Sequence, residues 1–368
     1  MGGEYDAGTS GGEGCRRTIY YSAPMLPARP NLAIVGATGA VGEEFLAILA
    51  SRNFPLASLR LFASPRSAGK TVEFRGKPIA IESLGERSFE GVDLALFSAG
   101  KSVSKEFAPR AVAAGATVVD NSSWFRMEAG VPLVVPEVNG ELLDAIDGPA
   151  IIANPNCSTI IALVAVTPLH RAVGIDRMVV STYQAASGAG AAAMRELEQQ
   201  ARDFATGKPL HSEIFGRPYL FNLFSHNSTI GPDGSNEEER KLLLESRKIW
   251  NDDRVRIAAT CVRVPVLRAH CESINLSFRG ELSERDAREL LGTAPGVRIV
   301  DDRAGNRFPE PIDAAGGDDV LVGRIRADLS QPAGKGLDLF VSGDQIRKGA
   351  ALNAIQIAER LLPATVHA

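Results

Sequence analysis

From Asn31 onward the chain alternates short apolar runs with stretches of helical spacing. "NLAIVGA" (31–37) is an apolar run ending in glycine, "AVGEEFLAILASR" (40–52) carries its apolar residues on one helical face, and "LRLFAS" (59–64) is apolar again. This reads as a strand–helix–strand unit. Further strands are expected at "VDLALFSAG" (92–100), "ATVVDNS" (116–122) and "PAIIANP" (149–155), with a helix at "SKEFAPRAVAAG" (104–115) between the first two. Such alternation implies a doubly wound α/β arrangement, a parallel sheet covered on both faces.

The second half changes period. "DRMVVSTYQAAS" (176–187), "RVRIAATCVRVPV" (254–266) and "CESINLSFRG" (271–280) alternate with a period near two, which implies an α+β region whose mixed sheet lies under helices on one face. Helices are expected at "GAAAMRELEQQARDFA" (190–205) and "NEEERKLLLESRKIWN" (236–251). Residues 206–235 between them lack periodicity, and a connection that long reads as a functional or subunit-contacting loop. "IRKGAALNAIQIAERLL" (346–362) reads as an amphipathic helix.

Composition narrows the function classes. The 368 residues exceed what one core usually serves, so two domains are expected. A net charge of −4 with no concentrated basic face argues against nucleic-acid and membrane-surface binding. The longest apolar runs, such as "IIALVAV" (160–166), fall short of the roughly 18 residues a membrane span needs. Four scattered cysteines (Cys15, Cys157, Cys261, Cys271) form neither a disulfide framework nor a C-x-x-C metal pair, so no metal is expected and a reducing cytoplasm fits. The first 30 residues read as a disordered tail without a secretory signal. A plastid-type transit remnant is the alternative, opposed by Glu4, Asp6 and Glu13.

Three stretches carry candidate chemistry. "VGATGAVG" (35–42) sets Gly36, Gly39 and Gly42 between the first strand and first helix, where glycine lets the backbone approach a diphosphate and unpaired amides stabilise its charge. The second strand ends without the acid that would bind a ribose 2′-hydroxyl. "FASPRSAGK" (62–70) instead offers Ser64, Arg66 and Ser67 to a 2′-phosphate, favouring NADP over NAD. "NPNCST" (154–159) places Cys157 in the first turn of a helix, where amide dipoles favour a thiolate. The bland alternative is a buried small hydrophobe. Of five histidines, His270 is the candidate acid–base partner, because it stands at a strand junction seven residues after Arg263; His170, His211, His226 and His367 fall in a helix, two loops and the tail.

"GATGAVG", "SPRSAG", "VVDNSSWFRM", "VPLVVPEVN", "NPNCST", "YQAASGAG", "NEEERK", "ATCVRVPVLRAHCESIN" and "VSGDQIRKGAALNAIQIAE" occur in this order, and together they resemble aspartate-β-semialdehyde dehydrogenase from residue 31 to the last helix. The resemblance implies reduction of L-aspartyl 4-phosphate by NADPH to L-aspartate 4-semialdehyde and phosphate, a step of lysine, threonine and methionine biosynthesis. It implies Cys157 as the nucleophile forming a thioester, His270 as acid–base catalyst and Gln184 as the residue orienting the reacting group. Arg263 would clamp the α-carboxylate, Lys241 and Arg126 the phosphate, and Asn156 would assist beside the sulfur. Glu238 would meet the α-ammonium, although Glu237 and Glu239 flank it and leave that choice open. Cofactor contacts are expected at Thr38, Ala40 and Val41 in the glycine turn, and at Ser187, Gly188 and Gln345.

The implied architecture is a Rossmann-type NADP-binding domain over 31–155, to which the terminal helix 346–368 returns, and a catalytic and dimerisation domain over 156–345. The assembly would be a homodimer or homotetramer. Two other readings stay open. One is a reductase of N-acetylglutamyl phosphate, disfavoured because a neutral acetylated amine leaves Glu238 without a cation. The other is a non-catalytic NADP-binding regulator, which would be expected to have lost the cysteine or histidine.

Overall fold

The structure, a computed structural model, describes residues 26–363. β1 (Asn31–Val35) passes through the glycine turn into α1 (Ala40–Ser51). β2 (Ser58–Ala63), β3 (Thr71–Phe74), β4 (Lys77–Ser83), β5 (Leu94–Phe97), α2 (Lys101–Ala113), β6 (Thr117–Asp120), the short α3 (Pro136–Asn139) and β7 (Ile151–Ala153) follow. The seven strands lie in the order β3-β4-β2-β1-β5-β6-β7, parallel except for the β3–β4 hairpin. One face packs Leu32 and Ile34 against Phe45, Ile48 and Leu49 of α1; the other packs Val35 and Phe97 with Ala108 and Ala111 of α2. A parallel sheet buried on both faces explains why its strands are continuous apolar runs.

α4 (Cys157–Val173) then leads to β8 (Ile175–Gln184), α5 (Ala191–Ala205), β9 (Phe224–Ser225), α6 (Glu237–Trp250), β10 (Arg256–Arg263) and β11 (His270–Phe278). α7 (Glu284–Gly292), β12 (Val297–Ile299), α8 (Pro311–Ala314), β13 (Val320–Ala327), β14 (Gly336–Gly343), a π-helical turn over Arg347–Ala351 and α9 (Leu352–Arg360) complete the described chain. The second sheet runs β12-β13-β14-β11-β8-β10-β9 and is mixed, with β8–β10 and β12–β13 parallel. Its inner face packs Met178, Val180, Ile274, Leu276 and Leu339 against α4 and α6, while Arg256, Ala258, Thr260 and Ser273 stand exposed on the other. α9 returns to the first sheet, where Leu352 and Ile355 join the core of α1 and β1.

Several features depart from the sequence reading. The tail expected over residues 1–30 lies outside the described residues up to 25, but its last residues are anchored: Leu26 and Pro30 are buried, and the Leu26 amide donates to Leu361 O at 3.3 Å. The β3–β4 hairpin was not anticipated. It closes on Arg75 and Gly76, both at positive φ, the two-residue turn that matches strand twist, and the Arg75 guanidinium anchors it on the Leu49 and Phe54 carbonyls. The terminal helix opens as a π turn before becoming α-helical, and residues 364–368 of that stretch lie outside the described chain.

Candidate active site

The register of the second sheet builds the site. Arg263 at the end of β10 stands opposite Gln184 at the end of β8, and β11, on the other side of β8, sets Cys271 opposite Tyr183. His270 therefore comes one step further, beside Gln184, and it faces Gly343 of β14. Because side chains alternate across a strand, Arg263, Gln184 and His270 form one row on the inner face, with Cys261, Thr182 and Glu272 in the row beneath.

α4 starts above this row. The Asn156 side chain caps it by accepting from the Ser158 and Thr159 amides at 3.0 and 3.3 Å, so Cys157 is its first residue. Gln184 donates to Ser158 Oγ at 3.0 Å. α6 closes the side. Its N-terminus is fixed by a capping box between Asn236 and Glu239, and Glu239 also accepts from the Cys261 amide at 3.0 Å. Glu237 is exposed, 3.7 Å from Lys101. Glu238 alone of the three turns into the cleft, buried, where Asn156 Nδ2 (2.8 Å), Gln184 Nε2 (3.3 Å) and Lys241 Nζ (3.1 Å) all donate to it. Two turns on, buried Glu245, which the sequence reading missed, accepts from the Asn156 amide at 2.6 Å and from Arg126 Nη1 at 3.0 Å. Arg126 also donates to the carbonyls of Asn154 and Asn121. It borders a cavity of about 200 Å³ with Lys101, Ser123, Arg240 and Lys241.

The surroundings of Cys157 pull its ionisation in both directions. Burial pushes the Cys157 thiol up to about 12, and the Glu238 charge adds to it; Arg126, Arg263 and the Ser158 amide oppose this and lose. The amide dipoles of one helix start are worth less here than removal from water beside a carboxylate. Burial and the Arg263 charge together press His270 down to about 3, so its ring is neutral. Its Nδ1 accepts from the Ala185 amide at 3.1 Å, which leaves the proton on Nε2, buried and without a partner. Burial and the Glu238 charge thus work against the thiolate that the helix start favours, and the neutral His270 turns an N–H toward the site.

Glu238 is held down at about 2: burial would raise it, but Lys241, His226 and the Asn156 amide outweigh burial. Arg263 is buried and bonds Asn227, Ala185 O and His226, none of them a carboxylate. Gly188 is what keeps the mouth of the site open, since a Cβ there would lie 2.8 Å from Arg263 Nη1 and 3.0 Å from His270 Nε2. Ser187 is tied to Gln345, whose Oε1 accepts from the Ala269 amide at 2.9 Å just before His270. Cys271 is buried and bonds Ser342 Oγ.

The glycine turn fits a dinucleotide. Gly36 sits at φ +93°, and a Cβ on Gly42 would meet its carbonyl at 2.2 Å, so strand and helix approach as closely as a diphosphate cradle needs. Gly39 caps α1 with no side-chain bond, leaving the amides near Thr38, Ala40 and Val41 open. Ser64 and Arg66 are exposed at the end of β2, and Ser67 closes a turn onto the Ser64 carbonyl at 2.8 Å.

Comparison with known proteins agrees with this arrangement. Residues 31–146 match the semialdehyde dehydrogenase NAD binding domain, and residues 166–348 the semialdehyde dehydrogenase dimerisation domain. Aspartate-semialdehyde dehydrogenase of Synechocystis sp. is 56% identical, over 92% of this chain and 98% of its own. The crystal structure of aspartate semialdehyde dehydrogenase II from Vibrio cholerae complexed with ASA superposes with a TM-score of 0.86 at 42% identity, covering 90% of this chain and 98% of its own. That of the Candida albicans enzyme with NADP gives 0.69 at 25% identity, covering 92% and 99%. The chain belongs to the aspartate-semialdehyde dehydrogenase family.

Proposed function

We propose that this protein reduces L-aspartyl 4-phosphate to L-aspartate 4-semialdehyde with NADPH, through a thioester on Cys157. The observation that carries the reading is a buried carboxylate, Glu238, bonded by Gln184 and by the Asn156 side chain next to Cys157, and a buried guanidinium, Arg263, in register with the same Gln184. Those two charges match the ammonium and carboxylate of an α-amino acid, and place its side chain toward the sulfur. An N-acetylated substrate would offer Glu238 no cation beyond Lys241, so the buried carboxylate would contribute nothing to recognising it.

The residues then have distinct tasks. Cys157 attacks the acyl carbon and phosphate departs. Neither Glu238 nor His270 is set to accept the thiol proton, so it leaves with the phosphate: thiol plus acyl phosphate gives thioester plus hydrogen phosphate. The unpaired His270 Nε2–H donates to the oxyanion that develops on the acyl oxygen. Gln184 and Asn156 hold Glu238 and the start of α4 in register. Lys241 and Lys101 bring positive charge to the cavity beside Arg126, where the phosphate would sit. NADPH held by the glycine turn, with Ser64 and Arg66 on its 2′-phosphate, supplies hydride when bound. The exposed face of the second sheet is the surface on which two copies would pair.

The test is spectrophotometric. Purified protein with aspartate semialdehyde, phosphate and NADP should form reduced nicotinamide in a phosphate-dependent way, and Cys157→Ala should abolish it. Turnover of the N-acetylated longer substrate alone would overturn the reading.

A further inference from the structure

The long loop before α6 holds residues with no place in the chemistry above. His226, Asn227 and Ser228 follow β9, the edge strand that pairs Phe224 with Arg263 and Ser225 with Val262, and the His226 amide is pinned to Cys261 O at 2.8 Å. Arg263 has five N–H donors. Nε gives one to Asn227 Oδ1 (3.3 Å), Nη1 one to Ala185 O (3.2 Å) and Nη2 one to His226 Nε2 (2.8 Å). Two donors remain, one on each terminal nitrogen, and that pair is the fork a carboxylate fits. All three acceptors are neutral, so the positive charge is left for a ligand.

His226 reaches in two directions. Arg263 can only donate, so His226 Nε2 accepts and the ring proton sits on Nδ1. Two Ser228 groups face that nitrogen, the amide, whose N–H points at it as a donor at 3.2 Å, and Oγ at 3.0 Å, which is the one of the two able to accept a proton from Nδ1. Ser228 Oγ in turn accepts from the Glu238 amide at 3.3 Å, and the next residue, Thr229, accepts from the Glu237 amide through its carbonyl at 2.9 Å. A chain of bonds therefore runs from the guanidinium through the imidazole and the hydroxyl to the helix turn that carries Glu238. Burial and the Arg263 charge hold His226 at about 4, so the ring stays a neutral acceptor in the working pH range.

We propose that His226, with Asn227 and Ser228, is a specificity-determining positioning element that sets the distance and orientation between the Arg263 fork and the Glu238 carboxylate, and so selects substrates with a free α-ammonium beside an α-carboxylate. This rests on the assignment of both groups to substrate recognition. Losing the imidazole removes one of the three anchors of the Arg263 guanidinium and its link to the Ser228 hydroxyl, so the whole planar group can swing away from its place opposite Glu238. Substrate then binds less well in ground and transition state alike, which raises KM rather than lowering kcat.

The experiment compares wild type, His226→Ala, His226→Gln and Ser228→Ala with aspartate semialdehyde, phosphate and NADP. H226A is expected to raise KM for the semialdehyde about tenfold or more with kcat within about threefold. H226Q, which restores an acceptor, should return KM to within about threefold of wild type, and KM for NADP should be unchanged throughout. An H226A enzyme with wild-type KM, or an H226Q enzyme no better than H226A, overturns the inference while the activity itself stands. An inactive wild type overturns both. Should H226A fail to fold, S228A decides: a raised KM supports the element and an unchanged one refutes it.

Discussion

The resting ionisation of Cys157 can be titrated. With the thiol at about 12, only about one molecule in 10⁵ carries a thiolate at pH 7, against a few per cent for an ordinary cysteine near 8.5. The difference is about a thousandfold in alkylation rate. The perturbation is pH itself, applied to a Cys15→Ser protein so that the tail thiol does not contribute; Cys261 and Cys271 are buried and pushed up as well. Iodoacetamide labelling, followed on the Cys157 peptide by mass spectrometry, should climb about tenfold per pH unit from pH 7 to beyond pH 10 without a plateau. Glu238→Gln removes the second-largest cause of the shift and should move the curve to lower pH, though burial keeps it above that of a free thiol. A plateau with its midpoint below pH 8 would refute the reasoning, because it would mean that the helix start prevails over burial and the carboxylate. The consequence for turnover is that a substrate ammonium, by neutralising Glu238, itself makes the sulfur easier to ionise.

Three further outcomes follow from the same geometry. Glu272 is buried with neither carboxylate oxygen bonded, and burial together with the Glu238 charge raises it well above the usual carboxyl range. The unfolded chain releases that proton above about pH 4.3 and the folded one keeps it, so wild-type stability falls as pH rises; Glu272→Gln should gain on wild type by up to about 1.4 kcal/mol per pH unit in denaturation series from pH 5 to 8, and a gap independent of pH would show an ionised, paired carboxylate. Gly188→Ala should lower kcat/KM about a hundredfold by displacing Arg263 and His270 while NADP affinity holds; loss of NADP affinity instead would make Gly188 a cofactor contact. Arg66→Ala should raise KM for NADP about tenfold and leave NAD unaffected, and equal effects on both would count against a 2′-phosphate contact.

Much of this was legible in the sequence because it is local. The glycine turn, the helix start at Cys157 and the parallel strands each announce themselves within a dozen residues. The row of Arg263, Gln184 and His270 is different, since three strands bring it together and no spacing encodes it; only the order of motifs along the whole chain pointed there. The choice among Glu237, Glu238 and Glu239 needed the capping box, which commits Glu239 to the helix end and leaves Glu238 facing inward. His226 gave no signal, standing in an aperiodic loop, and Glu245 looked like one more charge on an amphipathic helix. The helix start at Cys157 is visible in sequence, while a carboxylate 81 residues away that opposes its ionisation is not.

The account depends most on acyl transfer to one sulfur. Intact-protein and peptide mass spectrometry of enzyme mixed with aspartate semialdehyde and NADP, without phosphate, measures it directly. One aspartyl group per chain should appear on the peptide containing Cys157, disappear when phosphate is added, and be absent from Cys157→Ala. Reduced nicotinamide formed with no adduct, or an adduct on any other residue, would contradict it.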